Sequence, residues 1–500
     1  MQSKKQLYNI LIIAGLMASC SRFQTRNPAS FSDTLFSQII NEIEVEKENL
    51  TNDKKQCSAI LENSYQKLFD LVGKSVYFEM DNIDLLDKDI NRSFQTRLKL
   101  REMLRDLNID QKIDKSCFMA VVDLTKALRY VEDYMIELRM NLAQHNSQEF
   151  VDMKSDFPYL LVNPKYADEV KSYEDLKSGD VILSRGNAFS SAAIARIGES
   201  DFQFSHLSFI YRDQQDNNKM YTTEAHIEIG SVVAPMDDHI ASKNARSVVF
   251  RYKDASLAAA ASEHMYQRVK NQSATGKNIE YDFGMNYKDD SKLFCSEIIS
   301  SGFHAIKPEN GFLPKYKSKF TLGMIPFLNN IGIPVNKENI QSYEVFSPGD
   351  IQFDPQFDLV LEWRNPKKME QSRLKDFILT KLFEKMENEG YFFDTSLKMD
   401  LQSKTFWLLR RTPIVKKFLD KKFPLNMNAT QMEMFMVLDK VGDTLLKEIE
   451  AKSLESDHSL TPKEIYSILD DFLEKDNEIH LKAMENRVHD FSQVAKYFHK

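Results

Sequence analysis

The stretch "DDSKLFCSEIISSGF", Asp289–Phe303, places one cysteine where extended sequence gives way to a helical pattern. Ile298, Ile299 and Phe303 follow Cys295 at helical spacing, so the thiol is predicted at the N-terminus of an apolar helix. A thiol there faces the positive end of the helix dipole, which lowers its pKa. Whether that thiol does chemistry depends on the other cysteines and on a histidine able to take its proton.

Cys20 ends "MQSKKQLYNILIIAGLMASC", in which Lys4 and Lys5 precede an apolar run from Ile10 to Met17. This is the layout of a secretory signal, too short to span a bilayer as a mature helix. Its end, "LMASC", resembles a bacterial lipobox, with Met17 where Leu is commoner. The resemblance implies a signal peptide over residues 1–19, lipid on Cys20 and a tether over 20–30. Ser21 in place of an acidic residue points to an outer-membrane anchor facing the periplasm. No later segment has the roughly 18 consecutive apolar residues of a membrane span. Cys57 lies on a helical stripe with Leu61, Tyr65, Leu68 and Val72, and Cys117 on another with Val121, Leu124, Leu128 and Val131. In an oxidising compartment the two predict a Cys57–Cys117 disulfide, the alternative being two buried free thiols. Cys295 is then unpaired, which makes it a candidate nucleophile.

The length allows two or three domains and a sizeable core. A net charge of −8 and a pI near 5.8 leave no global basic field, so nucleic acid is not an expected partner. Three textures follow one another. Residues 31–150 read as a helical domain with apolar stripes and long charged faces, as in "CFMAVVDLTKALRYVEDYMIELRMNL". Residues 165–365 carry short β-rich runs: "DVILSRG", "SHLSFIYRD", "MYTTEAHIEIGSVVA" and "RSVVFRY". Residues 366–500 turn helical again, with only Gly390 and Gly442 as glycines. "TPKE", Thr461–Glu464, has an N-cap Thr, Pro at the first helical position and Glu at the capping-box position.

In the middle region, alternation puts Phe204, His206, Ser208 and Ile210 on one strand face and Leu207, Phe209 and Tyr211 on the other. "RDQQDNNK" reads as a hairpin turn. The next strand places Thr222, Glu224, His226 and Glu228 on one face, close enough across the pair for a carboxylate to hold the His206 ring. An imidazole beside Cys295 would complete a thiolate–imidazolium pair.

These stretches, with "LKSGDVILSRGNAFSSAAIARIGESDFQFSHLSFIYRD", "YTTEAHIEIG" and "YDFGMNYKDDSKLFCSEII" as they stand, resemble the circularly permuted papain-like cysteine hydrolases of the NlpC superfamily, the YiiX/YaeF-like group. The order is the permuted one, histidine strand before cysteine helix. The resemblance covers about residues 165–365. It implies an α+β class: a permuted papain-like domain with a small antiparallel sheet and a cysteine-bearing helix, flanked by N- and C-terminal helical regions. It assigns Cys295 as nucleophile, His206 as general base and Glu224 as the group orienting His206, with His226 the other choice for that role. Tyr281 becomes a secondary site residue, and Ser205 and Ser296 are structural. Cys295's own N–H would help bind the oxyanion.

The expected activity is that of a lipid-anchored envelope cysteine hydrolase. It would cleave an amide or peptide bond, in cell-wall peptides, through an acyl-thioester. A lipid acyltransferase or deacylase on the same site is the alternative within enzymes, and a non-catalytic scaffold lipoprotein the alternative outside them. No cofactor and no metal are expected: HExxH, CxxC and phosphate-binding glycine loops are missing, and His239, His264 and His304 read as incidental. "RRTPIVKKFLDKKF", Arg410–Phe423, is a basic patch read as a solvated helix face, with an anionic membrane surface as the other reading.

Overall fold

The computed structural model describes residues 35–50, 57–72, 82–109, 114–142, 157–240, 244–310, 312–314, 316–394, 404–405, 407–409, 427–456 and 459–500. The signal and tether, Cys20 and the 410–423 patch lie outside the described residues.

The N-terminal set comprises α1 (Leu35–Leu50), α2 (Cys57–Val72), α3 (Ile83–Ile109) and α4 (Lys115–Leu142). Cys57, Leu61 and Leu68 on α2 are buried, as are Cys117, Val121, Leu124, Leu128 and Val131 on α4. The two stripes face each other, and the expected Cys57–Cys117 disulfide joins them with Cα atoms 5.4 Å apart.

The sheet strands are β1 (Leu160–Val162), β2 (Asp180–Gly186), β3 (His206–Asp213), β4 (Lys219–His226), β5 (Gly230–Pro235) and β6 (Asn244–Tyr252), then β9 (Phe357–Arg364) after the two-residue strands β7 (Ser318–Lys319) and β8 (Glu344–Val345). Their order is β1-β9-β6-β2-β3-β4-β5, and every pairing is antiparallel. The sheet is therefore larger than the small one expected, and it begins before residue 165, because Leu160–Val162 pairs with β9. "MYTTEAHIEIGSVVA" is a hairpin rather than one strand. β4 stops at His226, Gly230 takes the left-handed φ of 75° and starts β5, and Glu228 falls in the turn between them.

Helices of this region are α5 (Phe189–Arg196), α6 (Met236–Ile240), α7 (Ala255–Ala274), α8 (Cys295–Ile306) and α9 (Ile325–Ile331). One sheet face carries Leu183, Leu207, Phe209, Val248 and Phe250 into the main core with α7 and α8, where Phe209 stacks on Phe303. The other carries Ile182, Ile210, Val249 and Trp363 against Tyr166, Tyr173 and Leu176.

The C-terminal helices α10 (Pro366–Glu389), α11 (Ala429–Glu455) and α12 (Pro462–Asn486) pack on the same core. α12 begins with the expected capping box: Thr461 N–H donates to Glu464 at 2.8 Å and Glu464 N–H to Thr461 Oγ1 at 3.3 Å. The "charged faces" of the N-terminal helices are not all solvated. Arg97 reaches Glu132 (2.6 Å) and Glu362 (2.7 Å), and Arg364 reaches Glu132 (2.6 Å) and Asp133 (2.8 Å). Arg246 pairs with Asp133, Arg129 with Glu362, and Arg185 with Asp376 of α10. All nine groups are buried, so helices α3, α4 and α10 meet the sheet through a desolvated ionic layer. Among the described residues no helix is long and apolar enough to cross a membrane.

Candidate active site

Cys295 is the first residue of α8, following Phe294 as N-cap. Burial of Ile298, Ile299 and Phe303 seats the helix on β3 and fixes where the thiol goes. Its Sγ lies 3.9 Å from the Ser205 carbonyl oxygen, beside the main chain of the residue preceding His206. Cys295 is the free cysteine among the described residues, and it is 1% exposed.

His206 opens β3 opposite Ser184 of β2. The β3–β4 register pairs Phe209 with Thr223 and Ile210 with Thr222. Carried back along the strands, it brings His206, Glu224 and His226 to one face. Glu224 Oε2 lies 3.0 Å from His206 Nε2 and 3.0 Å from His226 Nε2, and the two imidazoles stack with centroids 4.9 Å apart. Glu224 Oε1 takes a 2.5 Å hydrogen bond from Thr222 Oγ1 and lies 2.9 Å from His239 Nδ1. His239, which reads as incidental in sequence, is thus a buried partner of the central carboxylate. Only its place four residues past the end of β5 hints at this, and no periodicity marks it. Thr222 lies on the face that alternation predicts, and its part in holding Glu224 shows only in the fold.

The electrostatics differ from expectation at the thiol. Burial pushes Cys295 up to about 12, outweighing the N–H groups of Leu207, Ser296 and Cys295 itself, which favour the thiolate. The expected depression fails because desolvation of a nearly sealed sulfur exceeds what one helix terminus returns. Burial also lowers the His206 pKa, against its hydrogen bond to Glu224, so its ring is neutral at pH 7. At His226 burial acts the same way, but the Glu224 hydrogen bond and charge prevail and the pKa rises. Burial alone would raise Glu224; the His239 charge and hydrogen bonds from three imidazoles hold it well below the usual carboxylate range.

Tyr281 is buried, bridges to Leu293 and packs edge-on against Phe283 and Phe294. Burial above all holds its hydroxyl proton far more tightly than usual. Ser296 Oγ donates to the Phe346 carbonyl, a structural bond. Glu297 reaches back to the Phe294 N–H at 2.7 Å, and burial lifts its pKa to about 8. His206, Glu224 and His226 offer ligand atoms that all lie within 4.8 Å of one another, a donor set able to hold a cation.

Residues 175–361 match a family described as permuted papain-like amidase enzyme, YaeF/YiiX, C92 family. Among solved structures, the chain is similar to one described as the crystal structure of metalloprotein yiiX from Escherichia coli O157:H7. Identity is 20%, coverage is 37% of this chain and 96% of that chain, and the TM-score is 0.26. No curated protein matches.

Proposed function

We propose, from the premise that residues 175–361 are those of a permuted papain-like cysteine amidase, that Cys295, His206 and Glu224 carry its chemistry. One observation supports this most. The Cys295 sulfur rests against the carbonyl of Ser205, next in the chain to His206, while Glu224 holds the ring by Nε2, so that Nδ1 is the ring nitrogen that would take the thiol proton. A thiol with a pKa near 12 is not a stored thiolate, so its proton leaves as the sulfur attacks. His206 Nδ1 takes that proton while the sulfur bonds to the amide carbon. Negative charge on the carbonyl oxygen is met by the Cys295 N–H, with the Tyr281 hydroxyl a second donor. His206 returns the proton to the leaving amine, an acyl-thioester remains, and water releases it by the reverse sequence. Glu224 keeps the His206 tautomer correct throughout, and His239 and Thr222 keep Glu224 in place.

The substrate reading is a cell-wall stem peptide or a related amide. It is supported by the amidase family and by the "LMASC" lipobox, which would hold the enzyme at the outer membrane through lipidated Cys20. Purified protein incubated with wall-derived peptides should release new amines. Cys295→Ala should abolish release, and His206→Ala should lower it about 10²-fold or more. Undiminished turnover by Cys295→Ala would sink the assignment. Acyl release from phospholipid or lipoprotein in place of peptide cleavage would keep the thiol and replace the substrate.

A further inference from the structure

The site holds more imidazole than a thiol amidase needs. Three histidines surround one buried carboxylate, and two of them share one of its oxygens. We propose that His206 Nε2, Glu224 Oε2 and His226 Nε2 form a binding site for a zinc-class divalent cation, and that its occupancy switches the thiol chemistry off. This rests on the same His206 and Glu224 as the amidase reading.

The geometry is that of a facial donor set. A tetrahedral zinc ion with bonds near 2.1 Å separates its ligand atoms by about 3.4 Å. Here both nitrogens stand 3.0 Å from Oε2, and all three atoms lie within 4.8 Å. Two imidazoles and a carboxylate are donors of the borderline type that zinc prefers. The carboxylate is already braced by groups outside the set, since His239 Nδ1 and Thr222 Oγ1 hold its other oxygen. Such outer partners are characteristic of working metal sites. His226 is partly exposed, which gives the ion a way in. The Cys295 sulfur is not in the set.

The switch follows from the tautomer. Without metal, His206 donates its Nε2–H to Glu224 and keeps a lone pair on Nδ1 to accept the thiol proton. A cation at Nε2 needs that nitrogen's lone pair. The ring proton must then sit on Nδ1, and the base becomes a donor. His226 likewise gives up its Nε2 proton: a charged ring releases it to solvent, and a neutral ring moves it to Nδ1.

Zinc chloride titrated calorimetrically into chelator-treated Cys295→Ala protein tests the site apart from the thiol chemistry. One ion per chain is expected. Glu224→Gln or His226→Ala should weaken binding at least 10-fold, and His239→Ala about 10- to 100-fold. His226→Gln, on a partly exposed strand end, serves if the alanine variant unfolds. In wild-type protein, stoichiometric zinc should slow iodoacetamide labelling of Cys295 at least 10-fold, and chelator should restore it. Zinc binding that needs Cys295, or that survives Glu224→Gln and His226→Gln unchanged, overturns the site. Zinc that binds as described and leaves labelling unchanged overturns the switch. The amidase reading fails separately, if metal-free Cys295→Ala protein still turns over substrate.

Discussion

At the scale of single residues, the site is a contest between burial and partners. Cys295 and His206 both lose charge to burial, whereas Glu224 keeps its charge because imidazoles and a hydroxyl surround it. Removing the carboxylate charge should therefore act through His206. Glu224→Gln should lower kcat by one to two orders of magnitude with little change in KM, which steady-state kinetics would register. Glu297 gives a prediction with a definite sign. Its proton is held to about pH 8 in the fold, against 4.5 for the free side chain. Its stabilising contribution is complete below pH 4.5 and drains away as pH rises to about 8. Glu297→Gln, uncharged throughout, should gain Tm relative to wild type across that window. A Tm difference that stays flat with pH would show that Glu297 titrates normally. The residues of the site were legible in sequence to an uneven degree. Cys295, His206, Glu224 and His226 stand out because strand alternation and a helix start put them on predictable faces. His239 does not, because it reaches Glu224 from a five-residue helix whose position depends on how β5 ends.

At the scale of elements, α8 has little freedom in where it puts the thiol. A Cβ on Gly302 would sit 2.9 Å from the Ala261 carbonyl oxygen and 2.9 Å from Met265 Cγ. Gly302→Ala should thus push α8 away from α7, costing about 1–3 kcal/mol in denaturant melts. Turnover should fall further than that loss explains, since Cys295 rides on the same helix. The ionic layer under the sheet is a second constraint. Asp133→Ala would take the 2.5 Å partner from Arg246, leaving it Asp376 at 3.8 Å, and leave Arg364 with fewer partners. A loss of about 3–5 kcal/mol is expected, whereas breaking the exposed Glu478–Lys482 pair should change stability by less than about 1 kcal/mol. The layer was hidden in sequence because Arg129, Glu132 and Asp133 look like an ordinary charged helix face. Their partners Glu362, Arg364 and Arg246 lie on distant strands.

At the scale of the whole molecule, helices from both ends share one hydrophobic core with the sheet. The Cys57–Cys117 bridge closes a separation of 60 residues, so reduction should cost about 4 kcal/mol in the chain-entropy model. Urea melts with and without reductant would measure it, and a loss under about 1 kcal/mol would mean the reduced chain keeps the α2–α4 contact unaided. What the amino-acid order determined by itself is local: strands β2, β3 and β6, the α8 start at Cys295, the Thr461 cap and the buried stripes of α2 and α4. Each follows from periodicity or capping within a few residues. What only the tertiary structure decided is relational: the extra strand pairing at Leu160–Val162, the His239 contact, the buried ionic layer and the protonated state of Cys295. Desolvation is the common reason. A side chain's charge state and partners depend on how much water its surroundings exclude, and those surroundings are assembled from segments far apart in the chain.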